Sequence, residues 1–212
     1  ETLLPMVSAC FKETGISPED MDLIAVSGGP GSFTGLRIGS ATAKGLGFAL
    51  GKDLVHVPTL DAMAYNFYGS DMIIVPLMDA RRGQVYTGIY EFTAGTEEEN
   101  AVRSSLHILH EGCAISAGEL IELINEQYSR RTVIFLGDGV PVHREMIEQN
   151  CLASYEFAPE GLDIQKASSV GLLGLKLAAE GRTVSADMEA PEYLRPSQAE
   201  RVRAESQCEK QG

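Results

Sequence analysis

The sequence predicts an α/β protein of two lobes built on one plan, and three observations lead there. Short apolar runs of strand length alternate with amphipathic runs of helix length. A glycine turn follows an apolar strand once in each half, at Gly28 to Gly31 and again at Gly137 to Gly139. The second half reads βββαβαβα, while the first reads αβαβα, the same order without its three opening strands.

The chain begins inside an element. Leu3, Leu4, Val7, Cys10 and Phe11 fall on one helical face and Gly15 supplies a stop, so Glu1 to Glu13 reads as a helix. Ser17-Pro18-Glu19-Asp20 has the cap-and-proline order that starts a short turn. Asp22 to Val26 is then a buried-type strand. The run Ser27-Gly28-Gly29-Pro30-Gly31-Ser32-Phe33-Thr34-Gly35-Leu36-Arg37-Ile38-Gly39 turns the chain, and Ser32 or Thr34 caps a helix reaching Leu50. Leu54 to Val57 is a second strand, and Leu60 to Tyr68 a third helix.

From Asp71 the period changes. Met72 to Asp79 is an apolar strand, Ala80-Arg81-Arg82-Gly83 a turn, and Gln84 to Phe92 an alternating strand, which together make a hairpin. An acidic loop, Thr96 to Asn100, leads to a third strand over Arg103 to His110. Ser116 and Glu119 have capping-box spacing ahead of a helix whose face is Leu120, Ile121, Leu123, Ile124 and Tyr128. There follow a strand at Val133 to Leu136, the turn Gly137-Asp138-Gly139, a helix begun by Pro141, a strand at Tyr155 to Phe157, and a helix from Ser168 to Glu180 closed by Gly181. The expected lobes are residues 1–70 and 71–190, with 191–212 a C-terminal segment that packs on the first lobe or is partly disordered. The shared plan also leads us to expect a three-strand meander of about 20 to 35 residues before Glu1.

Composition narrows the function. With 44% hydrophobic residues in 212 the chain can build a sizeable core. Thirty acidic residues against 17 basic ones give a net charge of −13, which opposes direct contact with phosphate backbones. The apolar runs are too short for a membrane span. Cys10, Cys113, Cys151 and Cys208 are scattered, with no Cys-x-x-Cys pair, so reduced thiols in a cytoplasm are the simplest reading.

The glycine run fails both nucleotide signatures. A dinucleotide fingerprint counted from Gly29 needs its third glycine at Thr34, and finds it one residue late at Gly35. A P-loop needs Gly-Lys-Ser/Thr, but Gly51-Lys52 is followed by Asp53. The helix behind the turn says more. Gly35, Gly39, Ala43 and Gly47 recur every four residues and leave one ribbon almost bare, although each interior glycine costs about 1 kcal/mol relative to alanine. A second backbone, sheet or helix, in the same domain or in a partner, should lie against it.

No catalytic grouping stands out. His107 and His110 fall on an expected strand and point to opposite faces, while His56 and His143 lie in different lobes, so no metal site is expected. Asp79 and Asp138, with Gly29, Gly31, Gly137 and Gly139, would line a vestigial nucleotide cleft in which either carboxylate could hold magnesium or simply cap its own turn. Lys44 could meet an acidic group on a partner or remain solvated, and Arg37 should pair with a carboxylate.

Two βββαβαβα lobes facing a cleft make the architecture of the actin-like (RNase H-like, ASKHA) proteins. Within it, Gly29 to Gly39 closely resembles the signature of the TsaB (YeaZ) family of tRNA threonylcarbamoyladenosine biosynthesis proteins. Leu3-Leu4-Pro5, Asp79 to Tyr86, Gly137-Asp138-Gly139 and Pro191-Glu192-Tyr193-Leu194-Arg195 resemble further motifs of that family, whose Asp-Thr-Ser-like opening segment is not in this sequence. The resemblance implies a non-catalytic subunit that binds the catalytic paralogue TsaD, together with the ATPase TsaE. ATP and metal would sit on those partners, and tRNA would be met only through the complex. It also implies a partner interface on the first two helices, at Leu3, Leu4, Val7, Phe11, Gly35, Gly39, Ala43, Lys44 and Gly47, which could also serve a homodimer. An ATP-dependent phosphotransferase of the sugar-kinase type is the rival reading. A glycoprotease-like peptidase, more remote, lacks an identifiable nucleophile.

Overall fold

The computed structural model describes residues 3–93 and 104–191. The expected acidic loop Thr96 to Asn100, the start of the next strand at Arg103, and everything from Glu192 onward lie outside the described residues.

Among the described residues, strands and helices alternate from α1 (Leu3–Thr14), β1 (Ile24–Gly29), α2 (Phe33–Leu50), β2 (Leu54–Pro58) and α3 (Thr59–Ala64). The order continues with β3 (Ile73–Arg81), β4 (Gln84–Thr93), β5 (Ser105–Ser116), α4 (Ala117–Tyr128), β6 (Thr132–Leu136), α5 (Gly139–Asn150), β7 (Ser154–Phe157) and α6 (Ala167–Ala179). The third helix is shorter than expected, because after Ala64 the chain tightens into a 3-10 turn at Tyr65–Phe67. The β5 strand runs on to Ser116, where the capping box of α4 ends it: Ser116 Oγ accepts from the Glu119 N–H at 3.1 Å and Glu119 Oε2 from the Ser116 N–H at 2.9 Å.

A small parallel sheet joins β1 to β2, and a larger one has the order β5-β4-β3-β6-β7. The β3–β4 and β4–β5 pairs are antiparallel, while β6 and β7 run parallel to β3. Arg82 and Gly83 close the β3–β4 hairpin with φ of 57° and 72°, the left-handed pair that a tight hairpin turn requires.

Side-chain alternation assigns each strand face to a layer. On β2, Leu54 faces a small cluster with Val26, Ala43 and Ala186, whereas Val55 and Val57 face α3 and α6. On β6, Ile134 and Leu136 face α3 and α6, while Val133 and Phe135 face α4 and α5. The layers are therefore α2, the small sheet, α3 with α6, the large sheet, and α4 with α5. The last helix of the second half thus packs between the two sheets and against the strands of the first half. Gly174 makes that possible, since a Cβ there would stand 2.7 Å from the Cβ of Ala25 on β1.

Candidate functional site

Helix α1 carries a mainly apolar sequence and buries none of its 12 residues. Leu4 and Met6 are 55% and 62% exposed, and Val7 and Phe11 are only half-buried. An ordinary amphipathic surface helix turns its apolar stripe into a core. This one turns part of it to an open groove of about 370 Å³, lined by Leu3 and Val7 of α1, Ile24 and Val26 of β1, and Gly39 and Ala43 of α2.

Helix α2 is well delimited at both ends. Ser32 accepts a 3.4 Å hydrogen bond from the Gly35 N–H at its start, and Gly51, at φ 63°, ends it in the left-handed conformation. Its small-residue ribbon divides. Ala43 is buried in the chain's own core, and a Cβ on Gly47 would meet Leu54 Cδ1 at 2.5 Å and the Lys52 carbonyl oxygen at 3.0 Å. The second backbone expected against this end of the ribbon is the chain's own. Gly39, by contrast, has nothing within 4 Å of a Cβ position, and Gly35 meets only Ser32.

Roughly opposite that ribbon, α2 presents to solvent an apolar stripe at Ile38, Ala41, Gly45 and Phe48, spaced three and four residues apart. Ile38 and Phe48 are 49% and 67% exposed. Lys44 does not reach outward. Its ammonium donates to the main-chain carbonyls of Glu189 at 2.8 Å and Asp187 at 3.3 Å. The Arg37 guanidinium lies over the Phe33 ring, 4.0 Å from its centroid.

Behind α2 lies a polar grouping that sequence reasoning missed. Glu189, 2% exposed, accepts a hydrogen bond from the Ser40 hydroxyl and faces His56 Nδ1 across 3.8 Å. Serine, histidine and a carboxylate are therefore neighbours, but in the wrong order for a nucleophile. The carboxylate sits between the other two, so the imidazole is not the group hydrogen-bonded to the serine. The available signal was Ser40 itself, a polar residue on the buried Leu36, Ser40, Ala43, Gly47 stripe.

The expected nucleotide-cleft residues are engaged with the main chain. Asp138 Oδ1 accepts from the Asp79 N–H at 3.2 Å, and Asp79 Oδ1 accepts from the Arg81 N–H at 2.8 Å, with the Arg81 guanidinium 3.2 Å from the Asp79 carboxylate. At Gly137, which has φ 109°, a Cβ would overlap the Leu77 carbonyl oxygen at 2.0 Å, so this glycine serves a close strand-to-turn contact. Gly139 packs beside it on Leu77, and Gly31 packs on Leu36. Gly29, at φ 132°, ends β1 opposite Pro58 of β2. Met63 bridges the two regions: it lines the groove with Ser27, and its Cε stands 3.0 Å from a Cβ position on Gly137.

Among the described residues no three His, Cys, Asp or Glu side chains are grouped as a metal site needs, and no helix is long and apolar enough to cross a membrane. Burial raises the Asp61 carboxyl above its usual range even though it accepts a hydrogen bond from Tyr90. Burial also pushes the Tyr90 hydroxyl upward, and the Tyr65 hydroxyl to about 12.

Two sheets with helices between and outside them, the larger built in βββαβαβα order, define an α/β protein of the actin-like type, here with an open helical face as its most distinctive surface. A family profile described as "TsaD: tRNA N6-adenosine threonylcarbamoyltransferase" matches residues 1–202. The tRNA threonylcarbamoyladenosine biosynthesis protein TsaB of Bacillus subtilis is 32% identical over 96% of this chain and 82% of its own length. The Escherichia coli protein of the same name is 29% identical over 92% of this chain and 80% of its own. Among solved structures, YeaZ from Pseudomonas aeruginosa superposes with a TM-score of 0.69 at 25% identity, covering 90% of this chain and 83% of that one. A second Pseudomonas aeruginosa structure, described as an uncharacterized protein with similarity to peptidase YEAZ, gives 0.70 at 26%, covering 91% and 82%. The chain belongs to the TsaD-type family and, within it, to the TsaB (YeaZ) group.

Proposed function

We propose that this chain is the non-catalytic subunit of a complex that forms N6-threonylcarbamoyladenosine in tRNA, and that it acts by binding and supporting the catalytic paralogue TsaD. One observation carries the reading: on the side turned away from the small sheet, α2 shows solvent the apolar stripe Ile38, Ala41, Gly45 and Phe48, with Ile38 49% and Phe48 67% exposed. An exposed apolar helix face marks a protein-binding site, and a partner helix can pack against it. The names of the B. subtilis and E. coli relatives supply the pathway.

On this reading TsaE joins the same assembly, and ATP and metal belong to the partner proteins. The net charge of −13 leaves the grip on tRNA to the other subunits. The work is done in the cytoplasm. Glu189 separates Ser40 from His56, the Asp79 carboxylate engages its own turn and the Asp138 carboxylate holds the Asp79 N–H, which supports a binding role over a peptidase or phosphotransferase role.

The test is co-purification with TsaD, followed by reconstitution of tRNA modification with TsaD and TsaE. Modification that requires this chain supports the proposal. Full modification without it, or hydrolysis of ATP or peptide by the isolated chain, overturns it.

A further inference from the structure

The segment after α6 returns across the small sheet and lies on α2. Val184 pairs with Leu54 at the edge of β2, each N–H donating to the other's carbonyl at 2.8 Å. Ala186 enters the core with Val26, Ala43 and Leu54, against the bare site at Gly47. Glu189 is then buried beneath Ser40, and Lys44 holds the main chain on both sides of Met188, which stays 72% exposed. The segment therefore grips α2 at Ser40, Lys44 and Gly47, about one turn apart.

Glu189 is the unusual member. A buried carboxylate oxygen without a hydrogen-bond partner is unfavourable, yet among the described residues Oε1 has none, and the His56 ring faces it at 3.8 Å. An apolar side chain would fill the same space without that penalty but would accept several registers of the segment. A buried polar group that must meet Ser40 accepts one.

We propose that residues 184–190 form a strap latched by Glu189, and that the strap fixes the rotation of α2, and so the setting of Ile38 and Phe48, for partner binding. The coupling rests on the partner reading given above; the latch does not. Helix α2 packs on β1 and β2, and the strap joins that same flank at Leu54, Ser40 and Gly47, so a clamp there has mechanical consequence. Ser40, Lys44 and Glu189 act as positioning residues because the strap holds them away from the exposed stripe.

Hydrogen exchange on the full chain tests the latch. Glu189→Ala and Ser40→Ala should speed exchange at the Leu54 and Val184 amides by at least about tenfold, the loss of one charge-assisted hydrogen bond. Amides of β3 and β6 should be unchanged, and Glu189→Gln, which still accepts from Ser40, should stay near wild type. Unchanged protection in both alanine variants overturns the latch. If those variants lose the large-sheet protection as well, Lys44→Met decides. Severalfold faster exchange at 184–189 supports the strap, and no change overturns it.

Affinity for TsaD tests the coupling. Glu189→Ala should bind at least about tenfold more weakly, with Glu189→Gln restored. Equal affinity despite a loosened strap overturns the coupling. No binding by wild type overturns the partner reading, leaving the exchange result to decide the latch.

Discussion

The hydroxyl of Tyr90 donates a 2.9 Å hydrogen bond to Asp61 Oδ1, tying β4 of the large sheet to α3 in the layer between the sheets. Tyr90 is fully buried, and burial raises both groups above their usual ranges, with Glu111 adding to the effect on Asp61 and Arg182 opposing it. A carboxyl raised in the folded state contributes its stability below the ordinary unfolded aspartate value and loses it as pH rises through the folded value. Asp61→Asn keeps the acceptor for Tyr90 without the buried charge. Thermal melts should place this variant above wild type at pH 7, the difference vanishing as pH falls through the aspartate range. A less stable variant at pH 7 would show that the charge itself is needed.

The two ends of the α2 ribbon should respond oppositely to one added methyl group. Gly47→Ala pushes a Cβ into Leu54 and the Lys52 carbonyl and should cost about 1 to 3 kcal/mol in urea unfolding. Gly39→Ala meets nothing within 4 Å and should stabilise by about 1 kcal/mol through helix propensity.

Asp138 should matter for stability rather than for a nucleotide. Asp138→Ala removes the acceptor for the Asp79 N–H and should cost about 1 kcal/mol. Calorimetry of the wild-type chain with ATP and magnesium should show no micromolar binding. Such binding, abolished by the substitution, would favour the phosphotransferase reading.

Much of the architecture was legible because its signals are local. The capping box at Ser116 and Glu119 and the continuous apolar run of β6 each follow from a few neighbouring residues. The family likewise showed itself in the Gly29 to Gly39 run. What escaped were contacts distant in sequence. Gly47 and Ala43 looked like an external surface because Ala186, which covers them, lies in a segment without periodicity. Lys44 looked solvated because its partners are main-chain carbonyls, which no side-chain pattern reveals. The exposed stripe through Ile38 and Phe48 is defined by which face of α2 the small sheet covers, a contact that the helix sequence alone does not contain.

Whether α2 docks a partner is decided most directly by titrating the folded chain against TsaD, wild type beside Ile38→Asp. Ile38 is 49% exposed, so the substitution should leave the melting temperature almost unchanged. Wild-type binding that the variant weakens by about 2 kcal/mol or more is the expected result, as for an apolar anchor at the centre of an interface. Equal affinities for the two proteins, or no binding by the folded wild type, would contradict it.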